Sequence, residues 1–341
     1  MVGVAADGRI ALMKIPQIEP DVVLLDVEMP VMDGLTCLRE IRKRWPGLTV
    51  IMFSTVTTRA AAATLDALAL GASDYVAKPK GLRDPHEGFA YVKEHVVPRV
   101  LALSPAGAKQ SVAGNDRPPA RRATKSITMS VRRVAAPGRV DVLAIGASTG
   151  GPNALIRLLE RFPPSFQVPV LIVQHMPPLF TRLLADRLTA RTSLRVREAK
   201  DGDRLVPGEA LVAPGDLHMA VEGSGKNAHV STYVGPPENS CRPSVDPLFR
   251  SVAGVFGRHA LGAVLTGMGK DGLRGAESIR AARGQVIAQD EASSVVWGMP
   301  GFIARAGLAD AVVPIDEMAA EIMGRLAIGR VPVRLARSVA R

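Results

Sequence analysis

The chain has 341 residues, enough for two domains with separate cores, and its 47% apolar, 22% charged composition is that of a globular protein. Its net charge of +11 is concentrated away from the apolar patterns: residues 101–139 hold eight Lys or Arg against one acid, Asp116, and the last seventeen residues hold five arginines and no acid. With aromatics at 4% of the chain there are few rings for base stacking, and no apolar run approaches the roughly 18 residues that cross a bilayer.

The charge therefore reads as solvated basic linkers, with no specific nucleic-acid surface and no membrane insertion. A cytoplasmic location is expected, since the N-terminus lacks a leader pattern. Residues 1–99 alternate short apolar runs with helical patterns. The runs Val22 to Leu25, Val50 to Phe53 and Tyr75 to Ala77 stop at Asp26, Ser54-Thr55 and Lys78-Pro79, with helical stretches at Gly34 to Arg44 and Ala60 to Leu70. Such alternation specifies a parallel sheet with helices on both faces, whose site lies at the carboxyl ends of the strands. An Asp at one strand end often only caps the next helix. Asp, Ser and Lys at three successive ends are more specific.

Residues 100–139 contain S-P-A-G, R-P-P-A and A-P-G without apolar periodicity, the pattern of a flexible interdomain linker. From 140 to 325 the strand–helix logic returns on a larger scale, with apolar runs at 142–145, 168–173, 210–213, 261–265 and 285–288. A basic tail over 326–341 follows. In V-L-A-I-G-A-S-T-G-G-P (142–152) a strand ends at a glycine-flanked Ser148, and Pro152 suits the first turn of a helix. A hydroxyl on such a corner lies beside free backbone N–H groups, as acyl transfer requires. G-A-S-T-G-G fails as a dinucleotide fingerprint, because Ser148 replaces the second glycine, and it lacks the Gly-Lys-Ser/Thr ending of a phosphate loop. It fits the short G-x-S-x-G elbow. His175 and Asp271 follow two further strands, giving the order Ser, His, Asp, which is not that of the α/β-hydrolase fold. One parallel sheet would bring all three to one crevice. Cys37 and Cys241 lack metal-ligand spacing and read as packing or surface thiols.

Two resemblances sharpen this reading. D-V-V-L-L-D-V-E-M-P-V-M-D-G (21–34) with G-A-S-D-Y-V-A-K-P (71–79) resembles a response-regulator receiver domain. The resemblance implies a phosphoacceptor at Asp26, with Ser54 and Lys78 contacting the phosphoryl oxygens. The opening M-V-G-V-A-A-D-G-R looks like that family's second strand and the start of its second helix. The receiver is therefore expected to be N-terminally truncated, without the first strand and the acidic pair that hold Mg2+. No metal ligand is assigned, and Mg2+ is expected only if that missing N-terminus exists. Asp7 comes too early in the pattern to replace the pair.

I-G-A-S-T-G-G-P, V-Q-H-M-P, L-V-A-P-G-D-L-H-M, R-P-S-V-D-P-L-F-R-S-V-A, L-T-G-M-G-K-D-G and W-G-M-P-G resemble the CheB protein-glutamate methylesterase family over essentially all of 140–325. That resemblance implies two doubly wound parallel-sheet α/β domains, an incomplete flavodoxin-like receiver and a larger esterase domain. It implies hydrolysis of glutamate γ-methyl esters, and deamidation of glutamines, on chemoreceptor cytoplasmic helices, by a triad of Ser148, His175 and Asp271. The oxyanion would meet backbone N–H groups of Thr149 and Met268, and the chemistry needs no cofactor. A histidine kinase of a chemotaxis-type pathway and a receiver that covers the esterase crevice are also implied, in a monomer. The alternative is a catalytically idle signalling adaptor acting through receiver and linker contacts; an unrelated hydrolase of small soluble esters is a third.

Overall fold

The computed structural model describes residues 1–79, 84–104 and 138–328. Of the linker expected over 100–139, residues 100–103 are helical and 105–137 lie outside the described residues, as does the expected basic tail, 326–341, from 329 on. The first unit opens with α1 (Gly8–Ile18), whose N-terminus is capped by Asp7 accepting from the Ile10 amide at 3.0 Å. Then come β1 (Val22–Asp26), α2 (Gly34–Arg44), β2 (Thr49–Ser54), α3 (Thr58–Ala69), β3 (Asp74–Ala77), and a helical segment from α4 (Pro85–Tyr91) through a π-helical turn to α5 (Val97–Leu103). The three strands are parallel in the order β1-β2-β3. The opening residues, expected as a strand, form none. They have no ladder partner, and the Val4 carbonyl accepts from the Lys14 side chain at 2.7 Å.

The second unit is a seven-stranded, wholly parallel sheet. Its central strand β4 (Val142–Ala147) is buried at every residue. The period-two alternation explains why: Leu143, Ile145 and Ala147 enter the core on one face, Val142 and Ala144 the core on the other. Helix α6 (Gly151–Leu159) and α7 (Phe180–Arg191) cover the first face, and α8 (Val245–Phe256) the second. Burying each such leucine or isoleucine contributes about 1.5–3 kcal/mol. β5 (Val170–Gln174) follows α6, with β6 (Arg195–Glu198) and β7 (Glu209–Val212) beyond it. A β8 (His218–Glu222)–β9 (His229–Tyr233) hairpin, which apolar runs did not signal, precedes α8. β10 (Ala260–Val264), α9 (Leu273–Ala281), β11 (Gln285–Gln289), α10 (Met299–Arg305), β12 (Ala311–Val313) and α11 (Ile315–Ala327) complete the unit. The strand order is β12-β11-β10-β4-β5-β7-β6. Growth of the sheet turns from one side of β4 to the other between β5 and β10. In open parallel sheets that reversal opens a crevice at the carboxyl ends of the strands.

The two units pack together. Tyr75 of β3 stacks on Phe180 of α7 with ring centroids 4.9 Å apart, and Asn153 of α6 donates to the Leu68 carbonyl of α3 at 2.7 Å.

Candidate active site

Ser148 is the first residue past β4. Its amide donates to the Thr266 carbonyl at 3.0 Å, and its own carbonyl closes the turn by accepting from Gly151 at 2.8 Å. Gly150 takes a positive φ of 77°, and a Cβ there would lie 2.6 Å from Val295 Cγ2, so the turn requires glycine twice over. The neighbouring strand supplies the next group. Ala147 and Gln174 are register partners, and the His175 amide donates to the Ala147 carbonyl at 3.1 Å. Gln174 Nε2 donates to the Ser148 carbonyl at 2.9 Å. Ser148 and His175 thus leave two adjacent, paired strand ends together.

Asp271, buried to 1% exposure, completes the contact, with His175 Nε2 2.7 Å from Asp271 Oδ2. The carboxylate also accepts from Ser244 Oγ (2.7 Å), Asn239 Nδ2 (2.9 Å) and the amides of Val245 (2.6 Å) and Gly272 (3.0 Å). Burial alone would raise its carboxyl. The hydrogen bond and charge of His175 and the surrounding donors outweigh burial and bring it down to about 2. For His175 burial opposes the charged form, but Cys241 and Asp271 outweigh it, and the imidazole is raised above its ordinary range. An ionised Asp271 accepts from Nε2–H, which leaves Nδ1 as the nitrogen that can take a proton. Nδ1 faces Cys241, with Sγ at 3.5 Å, and Ser148 Oγ makes no hydrogen bond to the imidazole.

Two backbone donors border the serine. The amides of Thr149 and Met268 have no protein acceptor among the described residues. The Met268 loop is drawn close at Gly267, where a Cβ would be 2.8 Å from Ser148 Cβ. Thr266 fixes both sides of this corner, donating from Oγ1 to the Thr149 carbonyl at 2.9 Å and from its amide to Gln289 Oε1 at 2.8 Å.

In the first unit Lys78 Nζ lies 2.5 Å from Asp26 Oδ2 across β2. The Ser54 hydroxyl is buried and donates to the carbonyls of Thr55 (3.2 Å) and Ala60 (3.3 Å). Among the described residues no group of three His, Cys, Asp or Glu could hold a metal. The Asp26 carboxylate, already paired with Lys78, does not by itself fit a Mg2+ site. A cavity of about 670 Å³ runs along the open edge of β1, remote from Ser148.

Sequence reasoning missed several groups. Cys241 was expected to be a bland thiol, but it touches the imidazole. Asn239, which bridges Asp271 and Asp246, carried no pattern of its own. The Thr149 hydroxyl donates to Asp74 at the start of β3 at 2.9 Å, and Arg99 pairs with the same carboxylate at 3.2 Å. The first unit therefore reaches the residue next to Ser148.

The chain matches the CheB methylesterase family over residues 143–322 and the response regulator receiver domain family over 1–87. It is 48% identical over 333 residues to the protein-glutamate methylesterase/protein-glutamine glutaminase of Trichodesmium erythraeum (strain IMS101), covering 96% of this chain and 91% of that protein. The protein-glutamate methylesterase/protein-glutamine glutaminase of Nocardioides sp. (strain ATCC BAA-499 / JS614) is 47% identical over 330 residues, 96% of this chain and 88% of that one. The crystal structure of the Thermotoga maritima CheB methylesterase catalytic domain superposes with a TM-score of 0.53 at 36% identity, covering 54% of this chain and 98% of that domain.

Proposed function

Because this chain belongs to the CheB family of protein-glutamate methylesterases/protein-glutamine glutaminases, we propose that Ser148, His175 and Asp271 are its hydrolytic triad. Ser148 Oγ attacks the γ-carbonyl of a glutamyl methyl ester or a glutamine. His175 Nδ1 takes the hydroxyl proton and returns it to departing methanol or ammonia, and water then cleaves the acyl-serine by the same route in reverse. Asp271 fixes the tautomer by holding Nε2–H. The Thr149 and Met268 amides meet the oxyanion, each such donor being worth about 3 kcal/mol in the barrier. No cofactor takes part in this scheme.

One observation carries the reading: a carboxylate saturated with donors, an imidazole on it at 2.7 Å and a serine on the adjoining strand end. Ser148→Ala is expected to abolish methanol release from methylated receptor with the fold intact. Retained release removes the triad, and methanol release by the parent chain separates an enzyme from an adaptor.

The substrates of this reading are methylated cytoplasmic helices of chemoreceptors, and the phosphodonor is a chemotaxis-type histidine kinase acting on Asp26, with Lys78 and Ser54 contacting the phosphoryl group. The receiver spans 1–99 and the esterase domain 140–325, in a cytoplasmic monomer. Thr149–Asp74, Asn153–Leu68 and the Arg187–Asp66 ion pair at 2.9 Å support a resting state in which the receiver restrains the serine corner. Phosphorylation at Asp26 shifts the population toward an undocked, open form.

A further inference from the structure

The working nitrogen of His175 has a second suitor. Nδ1 lies 3.5 Å from Cys241 Sγ, while Nε2 is anchored on Asp271, whose own donors leave it no freedom to turn. Sulfur, imidazole and carboxylate are therefore in line, the arrangement that activates a thiol by giving its proton somewhere to go. Cys241 is only partly buried. The other free thiol supplies an internal contrast. Cys37 is fully buried, donates to the Gly8 carbonyl at 3.6 Å, and is pushed up to about 11 by burial and then by Asp33 and Asp7.

The geometry points to Cys241 as a covalent modification site for soft electrophiles, alkyl halides and hydroperoxides, whose capping switches hydrolysis off. This rests on His175 being the general base proposed above, because the adduct stands against the nitrogen that must serve Ser148. With iodoacetamide, sulfur attacks the methylene carbon. The S–C bond forms, the C–I bond breaks with its electron pair leaving on iodide, and the thiol proton passes to His175 Nδ1. With hydrogen peroxide, sulfur attacks one oxygen and the O–O bond breaks. Sulfur is oxidised to the sulfenic acid, and peroxide is reduced to water as the departing hydroxide takes the thiol proton.

The test uses the full chain at neutral pH, with iodoacetamide as probe, mass spectrometric occupancy at both cysteines and methanol release measured on the same samples. Cys241 is expected to label at least tenfold faster than Cys37, and methanol release to fall in proportion to Cys241 occupancy. His175→Gln is expected to slow Cys241 labelling at least fivefold while Cys37 stays protected. Should that variant unfold, Cys37 labelling would reveal it, and the wild-type ratio and the loss of turnover still decide. Equal labelling of the two thiols, an unchanged rate in folded His175→Gln, or full turnover by the capped chain each overturns the proposal. Ser148→Ala separates the two readings: it is expected to lose turnover and keep fast Cys241 labelling. Full activity in that variant ends the triad assignment, while the labelling data still judge Cys241 as a reactive site.

Discussion

The strands that carry Ser148 and Asp26 are alike in composition and opposite in setting. β4 lies between β10 and β5 with every side chain buried, whereas β1 is paired only with β2 and leaves Leu24 45% exposed. A parallel strand is hydrophobic on both faces because helices cover both, so the apolar run alone does not distinguish centre from edge. The consequence reaches the sites. At the centre, Asp271 is gripped by His175, Asn239, Ser244 and Gly272, and Ser148 by the turn after β4, by Gln174 at the end of β5 and by the loop after β10. At the edge, Lys78 is the single side-chain partner of Asp26 among the described residues, and the buried Ser54 hydroxyl donates to the Thr55 and Ala60 carbonyls. The His175–Asp271 pair is held from several sides, whereas Asp26 rests on one lysine and is not joined to Ser54.

The largest effect that would break this contrast concerns turnover. Asp271→Asn is expected to lower kcat for methanol release on the order of 10⁴-fold by favouring the wrong imidazole tautomer. Asp26→Asn is expected to leave basal release in place and remove only its response to a phosphodonor. Equal losses from the two variants would mean that the sites are not independently built.

Stability sharpens the same comparison. Leu143→Ala in β4 is expected to cost about 2–5 kcal/mol in denaturant unfolding, through lost transfer and the cavity left behind. Leu24→Ala in β1 is expected to stay within about 0.5 kcal/mol. A next effect follows from protons. Asp271 is depressed when folded, so its contribution is present above the ordinary carboxylate range near 4 and is lost as pH falls through about 2. The expected loss is about 2 kcal/mol between pH 4 and 2, absent in Asp271→Asn. His175 is raised, so its contribution is full below about 6.5 and fades as pH rises. The same sign places the rising limb of kcat/KM above the ordinary imidazole pKa, readable in a pH–rate profile. The smallest expected effect is Arg187→Ala. Its ion pair with a largely exposed Asp66 is worth at most about 1 kcal/mol, so unphosphorylated turnover should rise only a few-fold.

Much of this was legible in the chain. The alternation of V-L-A-I, V-L-I-V and A-L-G-A-V runs with helical stretches located the sheet, and Gly34 to Arg44 forms a helix with the expected bounds. Ser148, His175 and Asp271 stood out because each follows a strand, and the register of β4 on β5 and β10 brings those ends together. Other features left no periodic trace. β6, read as R-V-R-E, is an edge strand in which only Val196 is fully buried, and Arg197 is spent on Glu209 and Asp203. The contacts of Cys241 with His175 and of Thr149 with Asp74 span 66 and 75 residues of sequence. Nothing local in C-R-P-S or S-D-Y announces them.

The central claim is that His175, oriented by Asp271, makes the Ser148 hydroxyl nucleophilic at the meeting point of β4, β5 and β10. Incubating the full chain with a fluorophosphonate and mapping the adduct by mass spectrometry tests it directly. One phosphonyl group is expected, on Ser148, and lost in folded His175→Gln. An adduct on another residue, or undiminished labelling of Ser148 without the imidazole, would contradict the account.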